Sequence, residues 1–283
     1  MSLPRPVLSL LHLFAAALAG YLILLGVLWW GQSGMVFLPE VPERSVRTTP
    51  GAAGLDYEPV RIETADGERL AGWFVPGPTA DAPVVLFLHG NAGNIGHRIE
   101  TLELLHTAGA ASLIIDYRGY GDSSGHPTER GTYRDAQAAW RWLVDRRGVA
   151  PGRIVVFGRS LGGAVAAWLA AHERPAGLVL EAAFTSIVEL GRHHYWWAPV
   201  GLLSRFRYPT ARYLRDVECP VLVAHARHDE IVPFAHAEKL AAIRPPVVEL
   251  LELEGGHNDA MFASHRRYRE TLQRFIGEVT RTE

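Results

Sequence analysis

Three segments of this 283-residue sequence carry side chains that together could perform nucleophilic catalysis. Ser160 stands in the pattern Gly-Arg-Ser-Leu-Gly, Asp229 follows later in the chain, and His257 comes after both. A serine hydroxyl is a weak nucleophile that needs a neighbouring base, and an acid must hold the imidazole of that base in one tautomer. We therefore expect His257 to take the proton of Ser160 and Asp229 to orient His257. Glu230 is the competing acid, and we favour Asp229.

The residues around Ser160 predict the turn that such a nucleophile requires. Ile154–Phe157 is a β-branched apolar run typical of a buried strand, and Leu161–Ala171 is small and apolar like a tightly packed helix. Gly158 and Gly162 are small enough for a sharp strand-to-helix turn that exposes the serine. The alternative is a glycine-rich turn with an incidental serine, and the flanking strand and helix patterns argue against it.

Alternating strand and helix patterns continue along the chain and predict an α/β fold. An antiparallel hairpin is expected from Val60–Thr64 and Leu70–Val75. The further predicted strands are Val84–Leu88, Ser112–Asp116, Gly177–Leu180, Val221–His225 and Val247–Leu253, and the further helices are Arg98–Ala108, Gly131–Arg146, Phe234–Ala242 and Met261–Glu278. This order indicates a mostly parallel central sheet flanked by helices, with an antiparallel start.

The carboxyl ends of the predicted strands bring the chemical groups to one edge of the sheet. Asp229 and His257 follow two of these strands, and Val84–Leu88 runs into a polar, glycine-rich loop at His89–Asn94. Backbone N–H groups of Asn91 and Leu161 are therefore the candidate donors to an oxyanion. A purely structural βα turn at His89–Asn94 is compatible with this role, since only the backbone is needed.

An uncharged stretch near the N-terminus predicts a membrane anchor. Val7–Trp30 has 24 residues, which span about 36 Å as a helix and can cross a bilayer. A cleaved signal peptide with Ala17-Leu18-Ala19 as its cleavage site is the alternative, and it would leave an exposed apolar terminus. We expect an anchor over residues 1–30, a juxtamembrane connector over 31–56 and a catalytic domain over 57–283. The charges of Arg5, Glu40 and Glu43 weakly favour a body on the non-cytoplasmic side, in a bacterial inner membrane.

One long segment, residues 184–217, interrupts the alternation and predicts a lid. Its large apolar side chains could line a substrate pocket, and these candidates are Tyr195, Trp196, Trp197, Leu202 and Phe206. Two alternatives remain open: a structural flap that packs on its own aromatic residues, or a surface that contacts the bilayer beside the anchor.

The composition excludes several other functions. A net charge of −2 gives no signature of nucleic-acid binding, and the single Cys219 excludes a disulfide framework within the chain. Lys239 is the only lysine, so a Walker-type phosphate loop is absent. Neither the His193-His194 pair nor the His225–Asp229 segment has a third metal ligand at a recognisable spacing. We expect no metal and no cofactor.

Six motifs resemble the α/β-hydrolase superfamily, and more narrowly its membrane-anchored serine hydrolases, a group that includes lysophospholipases and protein depalmitoylases. The motifs are LFLHGNAGN (86–94), DYRGYGDSSG (116–125), FGRSLGGA (157–164), EAAFTS (181–186), HDEIVP (228–233) and GGHND (255–259). The resemblance covers about residues 57–278 and implies the same nucleophile, acid, base and oxyanion donors. The stretch 192–207 departs from the motifs, which leaves the acyl group open.

Together these patterns predict a serine hydrolase that cleaves carboxylic esters or thioesters of lipid-like acyl groups. A serine peptidase on the same fold is one alternative, which requires an acidic pocket for an amine. A non-catalytic scaffold that binds a lipid or a protein is another, and the complete triad argues against it.

Overall fold

The computed structural model describes residues 4–243 and 248–281. The strands in this part of the chain are β1 (Glu58–Glu63), β2 (Arg69–Val75), β3 (Val84–Leu88), β4 (Ala111–Ile115), β5 (Ile154–Arg159), β6 (Gly177–Glu181), β7 (Val221–Ala226) and β8 (Val248–Leu253). They form one sheet in the order β1-β2-β4-β3-β5-β6-β7-β8. The pairs β1–β2 and β2–β4 are antiparallel, and the other pairs are parallel.

Helices cover both faces of this sheet. In chain order, the α-helices of the described residues are α1 (Arg5–Val36), α2 (Ile99–Thr107), α3 (Glu129–Arg141), α4 (Leu161–His172), α5 (Ile187–His194), α6 (Val200–Leu203), α7 (Thr210–Leu214), α8 (Ala235–Ala241), α9 (Ala260–Ala263) and α10 (His265–Val279), and α1 extends away from the sheet with most of its surface exposed. The prediction of a mostly parallel sheet with an antiparallel start and flanking helices is confirmed.

The core consists of two apolar layers, one on each side of the sheet. Every residue of β3 and β6 is buried, as expected for central parallel strands that are covered on both faces. Leu86 and Val156 belong to one layer, and Phe87 and Phe157 belong to the other. This packing holds the carboxyl ends of the central strands in fixed positions, and the predicted catalytic residues follow those ends.

The helix α1 is longer than the predicted anchor. It has 32 residues and continues through Gly31–Val36, which was predicted to belong to the connector; these six residues contain no proline that would end a helix. Its most apolar window has a mean hydropathy of 2.2, and among the described residues it is the one helix long and apolar enough to cross a membrane. Most of its large apolar side chains are exposed on the isolated chain.

The segment after α1 packs on the loop that follows β3. Leu38 forms a parallel β-bridge with Ala92, and Phe37 is buried in the core. The side-chain amide of Asn94 donates to the carbonyl oxygens of Glu43, Arg44 and Ser45 at 3.2, 2.9 and 3.2 Å. The predicted connector is therefore part of the folded body near the predicted oxyanion loop.

Other differences from the predicted elements are local. The predicted helix over 131–146 is α3 followed by a π-helical turn over Trp142–Arg146. The predicted closing helix is split into α9 and α10 at Ser264, whose hydroxyl accepts a hydrogen bond from the backbone N–H of Glu254 at 2.7 Å. The lid segment contains the three short helices α5, α6 and α7. Val247, predicted to begin the last strand, lies outside the described residues.

Candidate active site

Ser160 occupies a strained turn between β5 and α4. Its backbone has φ 53° and ψ −117°, which a residue other than glycine rarely adopts. A Cβ at position 158 would lie 2.2 Å from the carbonyl oxygen of Gly162, and one at 162 would lie 2.0 Å from that of Leu88. Both positions therefore require glycine, and the turn directs Ser160 toward the loop after β3.

Ser160, His257 and Asp229 form a continuous hydrogen-bonded chain. His257 Nε2 lies 3.2 Å from Ser160 Oγ, and His257 Nδ1 lies 2.7 Å from Asp229 Oδ2. Since the carboxylate accepts the Nδ1 proton, Nε2 is left free to accept the proton of the serine hydroxyl. The structure thus brings together the three side chains that the sequence order selected.

The surroundings of Asp229 keep its carboxyl group ionised. Burial opposes ionisation, but hydrogen bonds from His225 and His257 and from the backbone N–H of Val232 outweigh it and hold the pKa of Asp229 below its usual range. Oδ1 also accepts the backbone N–H groups of Ile231 and Val232 at 2.9 and 2.7 Å. The competing acid Glu230 instead accepts the backbone N–H of His257 at 3.1 Å.

Arg159 and Glu181 connect the nucleophile strand to the histidine loop. Arg159 Nε lies 3.2 Å from Glu181 Oε1, and its Nη2 donates to the carbonyl oxygen of His257 at 3.1 Å. Tyr268 donates to the other carboxylate oxygen of Glu181 at 2.5 Å. The sequence analysis missed this group. The signal that could have revealed it is the opposite charge of Arg159 and Glu181, which stand at the ends of two predicted neighbouring strands. In the structure these two residues are register partners in β5 and β6.

The predicted oxyanion donors lie on either side of Ser160. Leu161 is the first residue of α4, where backbone N–H groups have no acceptor within the helix. On the other side, a Cβ at Gly90 would lie 3.5 Å from the Cβ of Ser160, which places the Gly90-Asn91 peptide beside the nucleophile. The carbonyl of Asn91 accepts hydrogen bonds from the hydroxyl of Tyr120 at 2.8 Å and from the backbone of Leu38 at 3.0 Å, so this loop is held firmly.

Comparisons with known proteins agree with this arrangement. A family profile described as the α/β hydrolase fold matches residues 83–214. An uncharacterized protein of Mycobacterium tuberculosis is 37% identical over 99% of this chain and 98% of its own length. The α/β-hydrolase domain-containing protein WAV2 of Arabidopsis thaliana is 33% identical over 87% of each chain. The chain belongs to the α/β-hydrolase family.

Two further similar proteins carry names that refer to an activity. The lysophosphatidylserine lipase ABHD12 of Danio rerio is 34% identical over 60% of this chain and 49% of its own length. The esterase Pf2001 of Pyrococcus furiosus superposes with a TM-score of 0.71 over 86% of this chain and 99% of its own, at 23% identity. The latter likeness concerns the fold. Family membership and the similarity to a relative named as a lipase support hydrolase activity for this chain.

A cavity of about 510 Å³ lies in front of Ser160. Its lining includes the triad serine and histidine, both predicted oxyanion residues, Tyr195 and apolar residues of the lid. Met35, Val36, Leu38 and Pro42 also line it, and these belong to the end of α1 and the segment after it. The sequence analysis treated this region as an anchor and a connector, and gave no indication that it would form a wall of the site.

The structure separates the five lid residues that were predicted to line one pocket. Tyr195 lines the cavity at Ser160, whereas Phe206 is buried against Phe37, with ring centroids 5.3 Å apart. Trp196 and Leu202 are 83% and 87% exposed, so they do not line the site. Trp197 faces α1, where its carbonyl oxygen accepts a hydrogen bond from the hydroxyl of Tyr21 at 3.0 Å. Of the five, only Tyr195 lines the cavity at Ser160. Tyr195, Trp196 and Trp197 follow one another in a turn and point in different directions, whereas Leu202 lies in α6 and Phe206 follows that helix.

Histidine clusters elsewhere do not form a metal site in the described residues. Over 4–243 and 248–281, no group of three or more His, Cys, Asp or Glu side chains is arranged to hold a metal ion. His194 Nε2 contacts the carbonyl oxygen of Ile231 at 2.8 Å, and His225 Nε2 contacts that of Val232 at 2.7 Å. Both histidines therefore have structural contacts in the walls around the site.

Proposed function

We propose that this α/β-hydrolase is a serine hydrolase that cleaves carboxylic esters or thioesters of lipid-like acyl groups. The observation that carries the proposal is the chain of hydrogen-bond contacts from Ser160 Oγ through His257 to Asp229, which opens into a cavity. This arrangement supports the roles of nucleophile, base and orienting acid that acyl transfer requires.

The reaction follows from this geometry in two halves. His257 Nε2 takes the proton from Ser160 Oγ as that oxygen attacks the acyl carbon, and the backbone N–H groups of Leu161 and Asn91 stabilise the oxyanion. His257 then gives the proton to the leaving oxygen or sulfur as its bond to the acyl carbon breaks. Water, deprotonated by the same imidazole, attacks the acyl-enzyme and releases the acid, and Ser160 recovers its proton.

The walls of the cavity support an acyl substrate over a peptide with a free amine. Apolar side chains of Met35, Val36, Ile187 and Leu190 contribute to the lining, which contains no Asp or Glu among the described residues. A peptidase that binds a substrate ammonium group would need such an acid. Relatives named as a lipase and an esterase agree with the ester assignment.

The helix α1 supports a role as a membrane anchor. Its length of 32 residues corresponds to about 48 Å, which exceeds the thickness of a bilayer core. Arg5 at its start, with Glu40 and Glu43 as the first charges after its end, weakly favours a catalytic body on the non-cytoplasmic side, and Arg44 and Arg47 reduce that preference. In this proposal the anchor, the connector and the catalytic domain keep their predicted order, with the helical part extended to Val36.

The proposal is tested by hydrolysis of p-nitrophenyl esters and of a matched peptide amide. We expect turnover of the esters and of an acyl thioester, and little or none of the amide. Amide cleavage at a rate comparable to ester cleavage would favour the peptidase, and absence of every activity would favour the non-catalytic scaffold.

A further inference from the structure

A second cavity lies between α1 and the lid. It measures about 210 Å³ and is bounded by the last turns of α1, including Leu28 and Trp29, and by lid residues such as Ala198 and Leu203. We name it the α1–lid cleft. It contains neither Ser160 nor His257, so it is distinct from the catalytic cavity.

The α1–lid cleft and the catalytic cavity share a wall. The residues that line both of them are Met35, Val36, Ile187, Leu190, His194 and Tyr195. These side chains come from the end of α1, from α5 and from the turn after α5. The two cavities therefore adjoin along one shared row of side chains.

The polar groups of the α1–lid cleft hydrogen-bond to the protein itself. The side-chain amide of Gln32 donates to the carbonyl of Leu203 at 2.9 Å and accepts from the backbone of Arg205 at 2.8 Å. The hydroxyl of Ser204 donates to the carbonyl of Phe206 at 2.6 Å. With these groups satisfied, the remaining surface is mostly apolar apart from His194 and Tyr195, and hydrocarbon is the occupant that it favours.

The α1–lid cleft also begins close to the point on α1 where the hydrocarbon core of a membrane would end. The lid contacts α1 from Tyr21 onward, which leaves Arg5–Gly20, or about 24 Å of helix, free of the lid. A hydrocarbon core is about 30 Å thick, which is more than 24 Å and corresponds to about 20 helical residues. A core that begins near Arg5 therefore ends at about Leu25. The cleft opens one helical turn later at Leu28, and the lid residues Trp196 and Leu202, next in sequence to the cleft residues Tyr195 and Leu203, are exposed.

We propose that the α1–lid cleft is the passage through which the acyl chain of a membrane lipid reaches Ser160. The substrate class is then a bilayer lipid ester that enters from the side, with the end of its chain still between α1 and the lid. This inference rests on the proposed hydrolase function, because it assumes that Ser160 is the nucleophile. It adds that the anchor helix is a wall of the substrate site as well as a tether.

The path of the chain can be mapped on the unmodified full-length protein in detergent. A long-chain alkyl fluorophosphonate with a diazirine at the end of the chain is attached to Ser160 and photolysed, and the crosslinked peptides are identified by mass spectrometry. We expect crosslinks to α1 between Leu28 and Val36 or to the lid at Ile187–Ser204. Crosslinks confined to other segments, or to a second copy of the chain, would overturn the proposal.

A substitution in the cleft tests the same passage by activity. Ala198 lines the α1–lid cleft and not the catalytic cavity, so Ala198→Trp should block long chains and leave butyrate hydrolysis unchanged. Each buried methylene is worth about fourfold in kcat/KM, so the preference for decanoate over butyrate should fall by at least about tenfold. Leu28→Trp should lower the same preference, and it changes a residue of α1 while leaving the catalytic domain unchanged. Ala80→Trp, in an exposed turn, is the matched control.

The outcomes separate the two proposals. Unchanged chain-length profiles in both cleft variants, with butyrate still hydrolysed, would overturn the passage and leave the hydrolase function standing. Failure of the parent protein to hydrolyse butyrate, together with failure of a methyl fluorophosphonate to label Ser160, would overturn the hydrolase function itself.

Discussion

The backbone N–H of Leu38 donates to the carbonyl oxygen of Asn91 at 3.0 Å and so joins the segment after α1 to the predicted oxyanion loop. Leu38 also pairs with Ala92 in a β-bridge, and Tyr120 donates to the same Asn91 carbonyl. The segment after α1 is thereby coupled to the edge of the sheet where the predicted catalytic residues lie.

This coupling predicts that the position of an N-terminal truncation decides activity. A chain that begins at Phe37 keeps Leu38 and the contacts of Glu43, Arg44 and Ser45 with Asn94, whereas one that begins at Gly51 loses them. Each lost hydrogen bond costs about 1 kcal/mol. We expect the shorter chain to unfold at a lower temperature and to show at least about tenfold lower kcat/KM for butyrate. Equal stability and activity of the two chains would show that the segment is only a tether.

Arg159 is predicted to act as a positioning residue for His257. Arg159→Lys keeps the charge but cannot contact Glu181 and the carbonyl of His257 together, since it lacks the forked guanidinium group. We expect kcat to fall about tenfold with little change in KM, because the base is misplaced while the acyl site is retained. Arg274→Lys, which alters an exposed ion pair with Glu249, is the matched control. A change confined to KM would assign Arg159 to substrate binding.

Tyr195 and Trp196 are neighbours in the lid, and we predict that they have different effects on activity. Tyr195 lines the catalytic cavity, whereas Trp196 is 83% exposed and is followed by Trp197, which contacts Tyr21 of α1. We expect Tyr195→Ala to change the profile for butyrate through decanoate in detergent and Trp196→Ala to leave it unchanged. Trp196→Ala should instead weaken activity on lipid esters presented in vesicles, because an indole favours the membrane interface. The opposite pattern would return Trp196 to the acyl pocket.

The buried His236 predicts loss of stability in acid. Burial lowers the pKa of His236 to about 4, from the usual value near 6.5, so the neutral form is the one the fold accommodates. Because the folded pKa is depressed, this contribution is fully present above pH 6.5 and is lost as the pH falls toward 4. At pH 5 the loss from this one residue is about 2 kcal/mol relative to neutral pH.

A neutral substitution at this position isolates that effect. His236→Gln removes the titrating group, and its unfolding temperature should fall less than that of the parent protein between pH 7 and pH 5. Thermal unfolding at the two pH values measures the difference. An equal fall in both proteins would show that other groups cause the acid sensitivity.

The fold was predictable because its central strands are short β-branched runs separated by amphipathic helices. Ser160, Asp229 and His257 could be placed because each follows a strand that was recognisable, and parallel strands end at one edge of a sheet. The predicted ends of helices and strands were less accurate. One example is Ser264, where the predicted closing helix is interrupted and the serine hydroxyl accepts a hydrogen bond from Glu254, just after β8.

The walls of the site were not predictable for a different physical reason. Arg159 and Glu181 meet because β5 and β6 are neighbours in a particular register, and Leu38 reaches Asn91 because a segment far away in sequence crosses the sheet edge. Such contacts depend on the spatial arrangement of segments, which periodicity along one chain does not encode. The same holds for the α1–lid cleft, since nothing in the residues of α1 indicates which side contacts the lid.

The central claim is that Ser160 is the nucleophile of a serine hydrolase, and intact-mass spectrometry after treatment with a fluorophosphonate tests it most directly. We predict that the parent protein gains the mass of one phosphonyl group and loses ester hydrolysis, and that Ser160→Ala gains none and has no turnover while unfolding at a similar temperature. A folded Ser160→Ala protein that is still labelled, or that still hydrolyses the esters, would contradict the account.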